Sequence, residues 1–474
     1  MKKLKLLICA GAMLPLLLAT SCKSVCASSD EKNFVEISKT DNRYLALKDG
    51  STYIPIGLNF CWPPNAWDSN DEQKTLDEIE RQLDNLAKNG GNFVRIWISA
   101  DFTEPEIAEG IYDENKAKRL DKIVDMCAKR GIKAKMCLHH FTRLSGGTPS
   151  HGVANKHYTR KFYDKKFGGS FADNADFFTN PKGKALYLKR LDFFAKRYAD
   201  NPTIFAWELW NEFDCVKMPK EIHMPWTVEM LGELRKRFPN NLATQSYGSF
   251  EGKPERMERF IKEFYVLPQD DLVQIHRYNL PNDNLPELEG AQDVCLASAI
   301  VLLAETGVAK RNYASRSPEH DADREGIILH DTIFAPFFAG AAGTGHIWYW
   351  DVYVQKYNLW YHFDRFAKAI EGFDPAAQHA RPFRTDTKEL RVYGLKGQSQ
   401  TMLWCRDKSS DIHTELRDNI PAKELVGLKI KIDGKFSKAR AYLDWEDKWA
   451  ELKIGGGEIV LPKFRRSITV RLEK

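Results

Sequence analysis

The chain has 474 residues, too many for one small module, and length alone suggests roughly two to three domains. Hydrophobic residues make up 43% and charged residues 28%, which excludes a disordered chain and a multi-span membrane protein. The formal net charge is +5, three of it from Lys2, Lys3 and Lys5; the near-neutral remainder offers no electrostatic footprint for nucleic acid.

A basic start, an apolar run from Leu6 to Ala19 and then Ala19-Thr20-Ser21-Cys22 read as an export signal, too short for a permanent membrane span. Small residues directly before a Cys resemble a bacterial lipoprotein processing site, so residues 1–22 are expected as a signal peptide with Cys22 lipidated. The expected location is the outer membrane, contacted only through that anchor. Ordinary cleavage near Ala27 is the other reading and would leave the protein periplasmic or secreted. The later cysteines, Cys26, Cys61, Cys127, Cys137, Cys215, Cys295 and Cys405, are odd in number and irregular in spacing. They support neither a disulfide framework nor a zinc cage.

Residues 33–47 alternate about Thr40-Asp41-Asn42 and predict a β-hairpin. A β/α rhythm follows. Strand-like runs at 53–60, 92–98, 133–140, 204–212, 242–246, 272–278, 300–305 and 346–351 alternate with helical runs at 71–89, 116–129, 184–198, 228–238, 255–264, 291–297, 330–341 and 361–370. Eight such units predict an α/β fold, a (β/α)8 TIM barrel over residues 33–375. A doubly wound sheet loses ground because no glycine-rich dinucleotide turn follows the first strand. Long segments at 142–181 and 307–329 leave carboxyl ends of strands, where barrels build their sites. After about Pro382 the pattern becomes short alternating runs with Gly turns, predicting an antiparallel β-sandwich over 382–474, more a brace than a glycan binder.

Two acids stand out. Trp207-Glu208-Leu209-Trp210-Asn211-Glu212 ends the fourth strand and Val301-Leu302-Leu303-Ala304-Glu305 ends the seventh, so Glu212 and Glu305 are expected at the barrel mouth. Each alone is equally well read as half of a buried salt bridge. Together they suit retaining glycoside hydrolysis, which needs one protonated and one ionised carboxyl roughly 5–5.5 Å apart. A cation beside Glu305, Arg95 being the candidate, would depress its pKa and keep it nucleophilic, and Tyr278 could donate to it. His140 rather than His139 is expected to face inward and donate to a sugar hydroxyl. His276 reads as a positioning donor. The pattern calls for no metal and no organic cofactor. Trp62, Trp67, Trp97, Trp207, Trp210, Trp348 and Trp350 crowd the strand ends, where rings fill a core or face a sugar. Trp350 is expected as the sugar floor and Trp62 as a flanking subsite. His157–Phe167 interleaves cations and aromatics, either a grip for an anionic sugar or a solvated flap, and residues 320–325 read as an exposed acidic loop.

On these motifs the chain resembles glycoside hydrolase clan A, most of all family 5 with its endo-β-mannanases and endoglucanases. The resemblance covers residues 33–375. It implies Asn211-Glu212 as the Asn and acid/base, Glu305 as nucleophile, and Arg95 and Tyr278 as its partners. His276 would belong to the family's His-x-Tyr strand, and the Trp-rich segment 347–351 to strand eight. The nucleophile segment reads Ala-Glu-Thr-Gly instead of the commoner Gly-Glu-aromatic-Gly, and Gly340–Gly345 resembles a less characterised bacterial branch. The expected function is retaining, endo-acting hydrolysis of a β-linked polysaccharide or oligosaccharide. The alternatives are an exo-acting glycosidase on a decorated or anionic glycan and a non-catalytic surface glycan binder.

Overall fold

The computed structural model describes residues 33–62, 71–100, 102–141, 162–249, 254–265, 267–279, 300–308 and 317–474. The leader, Cys22, Trp67, the helix expected at 291–297 and residues 157–161 of the cation-aromatic run lie outside them. No helix among the described residues is long and apolar enough to cross a membrane.

The expected hairpin forms as β1 (Val35–Ile37) and β2 (Leu45–Leu47), antiparallel, with a third strand β3 (Thr52–Tyr53) beside β2. Five parallel strands follow: β4 (Gly57–Asn59), β5 (Phe93–Trp97), β8 (Lys133–Cys137), β9 (Ile204–Glu208) and β10 (Leu242–Thr244), neighbours in that order. A small hairpin, β6 (Glu106–Ala108) with β7 (Ile111–Tyr112), interrupts them after β5. A separate parallel pair is β11 (Val273–Asn279) and β12 (Val301–Val308). Backbone hydrogen bonds bridge the gaps. Asp271 N–H donates to Ala243 O at 3.0 Å, linking β10 to the approach of β11, and Asn59 N–H donates to Ile347 O at 3.3 Å. Ile347 also forms an isolated parallel bridge with Thr306 of β12.

The eighth strand expected at 346–351 is thus reduced to one bridge, and no unbroken eight-stranded ladder closes among the described residues. Two features shorten it. Gly343 and Gly345 bring the chain so close to Pro55 O and Thr332 O that an added Cβ would sit 2.3 and 2.5 Å from them. Beyond Tyr349 the backbone then coils into a π-helical turn, Trp350–Gln355.

The first two helices end where sequence predicts, whereas the helix expected at 228–238 begins at Lys220 and the one expected at 330–341 spans Ile327–Phe338. Asp71 and Asp113 cap Glu72–Lys88 and Glu114–Lys129 by accepting first-turn N–H groups, and Gly90 and Gly131 follow at positive φ. The acidic run at 320–325 departs from expectation in part, since Asp321, Ala322, Arg324 and Glu325 are exposed as expected. His320 and Asp323 are buried, and the Asp323 carboxylate accepts the N–H groups of Gly326, Ile327 and Ile328 at 2.8–2.9 Å. It serves the exposed donors at the start of helix Ile327–Phe338 instead of meeting solvent.

The remaining strands form two antiparallel sheets. One contains β13 (Arg381–Arg384), β14 (Leu390–Lys396), β15 (Gln400–Asp407), β21 (Ser467–Glu473), β17 (Lys438–Leu443) and β18 (Lys448–Glu451), in that order; β16 (Lys429–Lys431), β20 (Glu458–Val460) and β19 (Ile454–Gly455) form the other. Alternation along β15 sends Leu403 and Cys405 into the core with Ile430 and Ile459. It turns Trp404 and Arg406 toward the helix Ile327–Phe338, which is buried along its whole length. There Arg406 Nε donates to Asp331 Oδ1 at 3.0 Å, both groups buried. Asp331→Ala would strand that guanidinium, and we expect urea unfolding to register a loss of about 3–5 kcal/mol.

Candidate active site

By the two-residue alternation, Phe93, Arg95 and Trp97 share one face of β5. Arg95 is fully buried and spreads across the site. Its Nε and Nη2 clasp the Glu208 carboxylate at 2.8 and 2.6 Å, and Nη2 also donates to Asn211 Oδ1 at 2.7 Å. Nη1 donates to Glu305 Oε1 and, at 3.2 Å, to Asn59 Oδ1. A guanidinium is suited to such forked pairing with carboxylates.

Glu212 leaves the end of β9 in a left-handed conformation, φ 48°. Glu305 lies in β12, where the register against β11 slips by one residue, so that His276 faces Glu305 instead of Ala304. A bulge of this kind re-aims side chains next to a site. The result is convergence. His276 Nδ1 lies 3.0 Å from Glu212 Oε1 and 3.5 Å from Glu305 Oε2, and one oxygen of each carboxylate lies within 4.8 Å of the other. Tyr278 OH donates to Glu305 Oε2 at 2.8 Å. Gly307, φ 148°, follows because a Cβ there would press on the Tyr349 ring at 3.0 Å. Glu212, His276 and Glu305 have donor atoms placed as cation ligands. With Arg95 and Tyr278 already on its two oxygens, Glu305 is held as a member of a carboxylate pair.

Burial pushes the Glu305 carboxyl upward, helped by the Glu212 charge, and outweighs the opposing pull of His276 and Arg95. The sequence-based expectation of a depressed Glu305 is therefore corrected: desolvation wins over the single cation. Burial lowers His276 to about 4, so its ring is neutral near pH 7. The Tyr278 hydroxyl is driven far up by burial and the nearby carboxylates and stays a donor.

Asn211 is buried, its N–H bound to His139 O at 2.7 Å. The His140 ring lies 4.4 Å from Trp97, on the site side, whereas His139 packs against Trp210 and Tyr187 in the outer core. Trp62 is half-buried, its ring centroid 5.1 Å from Trp348 and 4.6 Å from Trp350. Two expected substrate contacts need correction. Trp350 is fully buried and cannot present a face to a sugar; Trp348, two residues earlier, is the partly exposed ring of this cluster. Arg95 is likewise sealed from solvent and acts on Glu305, Glu208 and Asn211. Sequence reasoning passed over Asn59, Lys135, Glu208 and Ser246. Lys135 and Glu208 interrupt otherwise apolar strands, a signal that could have marked them.

A carboxylate pair, Glu305 within β12 and Glu212 four residues past the end of β9, braced by an arginine and a tyrosine, places the chain among proteins built for acetal chemistry. The family model for glycoside hydrolase family 5, β-mannosidase-like, matches residues 32–278, and the chain belongs to that family. It is 29% identical over 277 residues to mannan endo-1,4-β-mannosidase 4 of Solanum lycopersicum, covering 54% of this chain and 65% of that protein. It is 26% identical over 209 residues to mannan endo-1,4-β-mannosidase F of Aspergillus fumigatus, covering 41% and 43%. The chain thus spans less than two-thirds of the length of these relatives. A glycoside hydrolase family 5 crystal structure from Bacteroides vulgatus superposes with a TM-score of 0.54 at 15% identity over 94% of both chains, a likeness of fold.

Proposed function

We propose that the protein is a retaining glycoside hydrolase that cleaves a β-mannan or β-manno-oligosaccharide. Glu305 attacks the anomeric carbon while Glu212 gives its proton to the departing glycosidic oxygen. Glu212 then takes a proton from the water that hydrolyses the glycosyl ester, restoring both groups. Arg95 and Tyr278 hold Glu305 aimed. Asn211 and His140 are candidates for sugar hydroxyls, and Trp348 with Trp62 for the apolar sugar face. The observation that carries this reading is that one oxygen of each carboxylate lies within 4.8 Å of an oxygen of the other. An inverting pair needs roughly 6.5–9.5 Å for an intervening water. Mannan is favoured over other β-glycans by the names of the relatives, which also favour endo attack.

The inferred architecture is a (β/α)8 barrel over 33–375 with a β-sandwich over 382–474. It is supported by the hydrogen bonds that join β10 to β11 and residue 347 to both β12 and β4. Export and lipidation at Cys22 are proposed from the leader alone; the mass of the processed amino terminus tests them. A panel of mannan, glucan, xylan and uronate polymers read by product mass tests the activity. Glycan binding without sugar release, unchanged by Glu305→Ala, would overturn it.

A pH profile adds a check. Glu305 must be ionised to attack, and its pKa lies above the ordinary value of about 4.3. As pH falls through that raised value the carboxylate is lost. We expect the acid limb of kcat/KM to break above about pH 4.3.

A further inference from the structure

Below the two carboxylates lies a third that the proposed chemistry does not consume. Glu208 is fully buried, clasped by Arg95, with Lys135 Nζ 3.5 Å away. Its Oε1 also accepts from Ser246 Oγ at 2.6 Å. Ser246 Oγ in turn accepts the backbone N–H of Glu212 at 3.0 Å, and the Ser246 carbonyl accepts the N–H of Phe213 at 3.1 Å. One serine therefore grips two successive peptide groups at the position where a non-glycine residue adopts φ 48°. Such a conformation persists only where its surroundings over-determine it.

The direction of these bonds is enforced by chemistry. A hydroxyl has one hydrogen and two lone pairs, and an ionised carboxylate only accepts. Burial opposes the Glu208 charge, but Arg95 and Lys135, with hydrogen bonds from Arg95 and Ser246, outweigh it and hold the group well below the usual carboxylate range. The Ser246 proton is thereby committed to Glu208, leaving a lone pair for the Glu212 N–H. On its other side Glu208 holds Arg95, which holds Glu305. The chain of contacts runs Glu212 N–H, Ser246, Glu208, Arg95, Glu305.

We propose that Ser246 is a positioning residue. Its hydroxyl, oriented by Glu208, sets the strained turn from which the acid/base carboxyl projects and ties that turn to the nucleophile's arginine. The proposal rests on the reading of Glu212 as the acid/base. Losing this hydroxyl should misplace proton delivery and leave nucleophilic attack intact.

The test is leaving-group dependence with Ser246→Ala and Ser246→Thr, using a series of aryl β-mannobiosides from 2,4-dinitrophenyl to unsubstituted phenyl. Ser246→Ala is expected to lose about 10²-fold in kcat/KM on the phenyl glycoside, the scale of a 1 Å misplacement. The dinitrophenyl glycoside, which needs no protonation, should fall by less than about 3-fold, and Ser246→Thr should restore the wild-type slope. Equal losses across the series in Ser246→Ala, no loss at all, or a steepened slope in Ser246→Thr would overturn the proposal. Should Ser246→Ala fail to fold, the Ser246→Thr slope decides alone. A wild-type protein that releases no phenol from any member would instead overturn the hydrolase reading, and this inference with it.

Discussion

Glu305→Ala is expected to lower turnover of mannan by at least about 10⁴-fold, the scale on which removing a nucleophile acts. Removal also leaves a cavity bounded by Arg95 and Tyr278, the two groups that hold the wild-type carboxylate. A small anion such as azide can enter it. With an aryl β-mannobioside carrying a good leaving group, azide should restore a measurable rate and give a glycosyl azide of inverted configuration. Product retention of β configuration from Glu305→Ala, or an inverted glycosyl azide from Glu212→Ala, would reverse the two assignments.

Glu212→Ala carries the second large effect. General acid assistance contributes about 10²–10⁴-fold, so hydrolysis of mannan, whose leaving group is an alcohol, should fall by that factor. Dinitrophenyl substrates leave unaided and should form the glycosyl ester at near wild-type rate. The ester then waits for a base that is gone, so a burst of phenol followed by slow turnover is expected. Stopped-flow absorbance reads both phases. Equal rate losses on mannan and on the dinitrophenyl substrate, with no burst, would remove Glu212 from the acid/base role. The Glu212 charge helps raise the Glu305 carboxyl, so Glu212→Ala is also expected to lower the Glu305 pKa.

Much of this arrangement was legible in the chain. Two helix ends were marked by the glycines that follow them, Gly90 and Gly131, and the two acids were visible because each follows a run of strand-like residues. The antiparallel strands after residue 382 were announced by period-two alternation between Gly turns, matched closely by β14, β15, β17 and β21. What failed had a common cause. Trp350 and Trp348 are chemically identical and two residues apart; exposure separates them, and exposure depends on the backbone turning into a π-helical coil after Tyr349. The 320–325 run has the composition of a solvated loop, but its Asp323 faces the amino end of a helix that starts four residues later.

Periodicity and punctuation are local properties, encoded wherever neighbouring residues decide backbone conformation, and so the alternation of elements and the identity of the two acids could be read without coordinates. Electrostatic balance is not local. The direction in which Glu305 shifts depends on burial and the Glu212 charge set against Arg95 and His276, groups that come from separate parts of the chain. The Ser246–Glu208–Arg95 connection joins residues that are more than a hundred positions apart from one end to the other. Only the packed strands bring them within hydrogen-bonding distance, because hydrogen bonds and desolvation act over a few ångströms of space and take no account of distance along the chain.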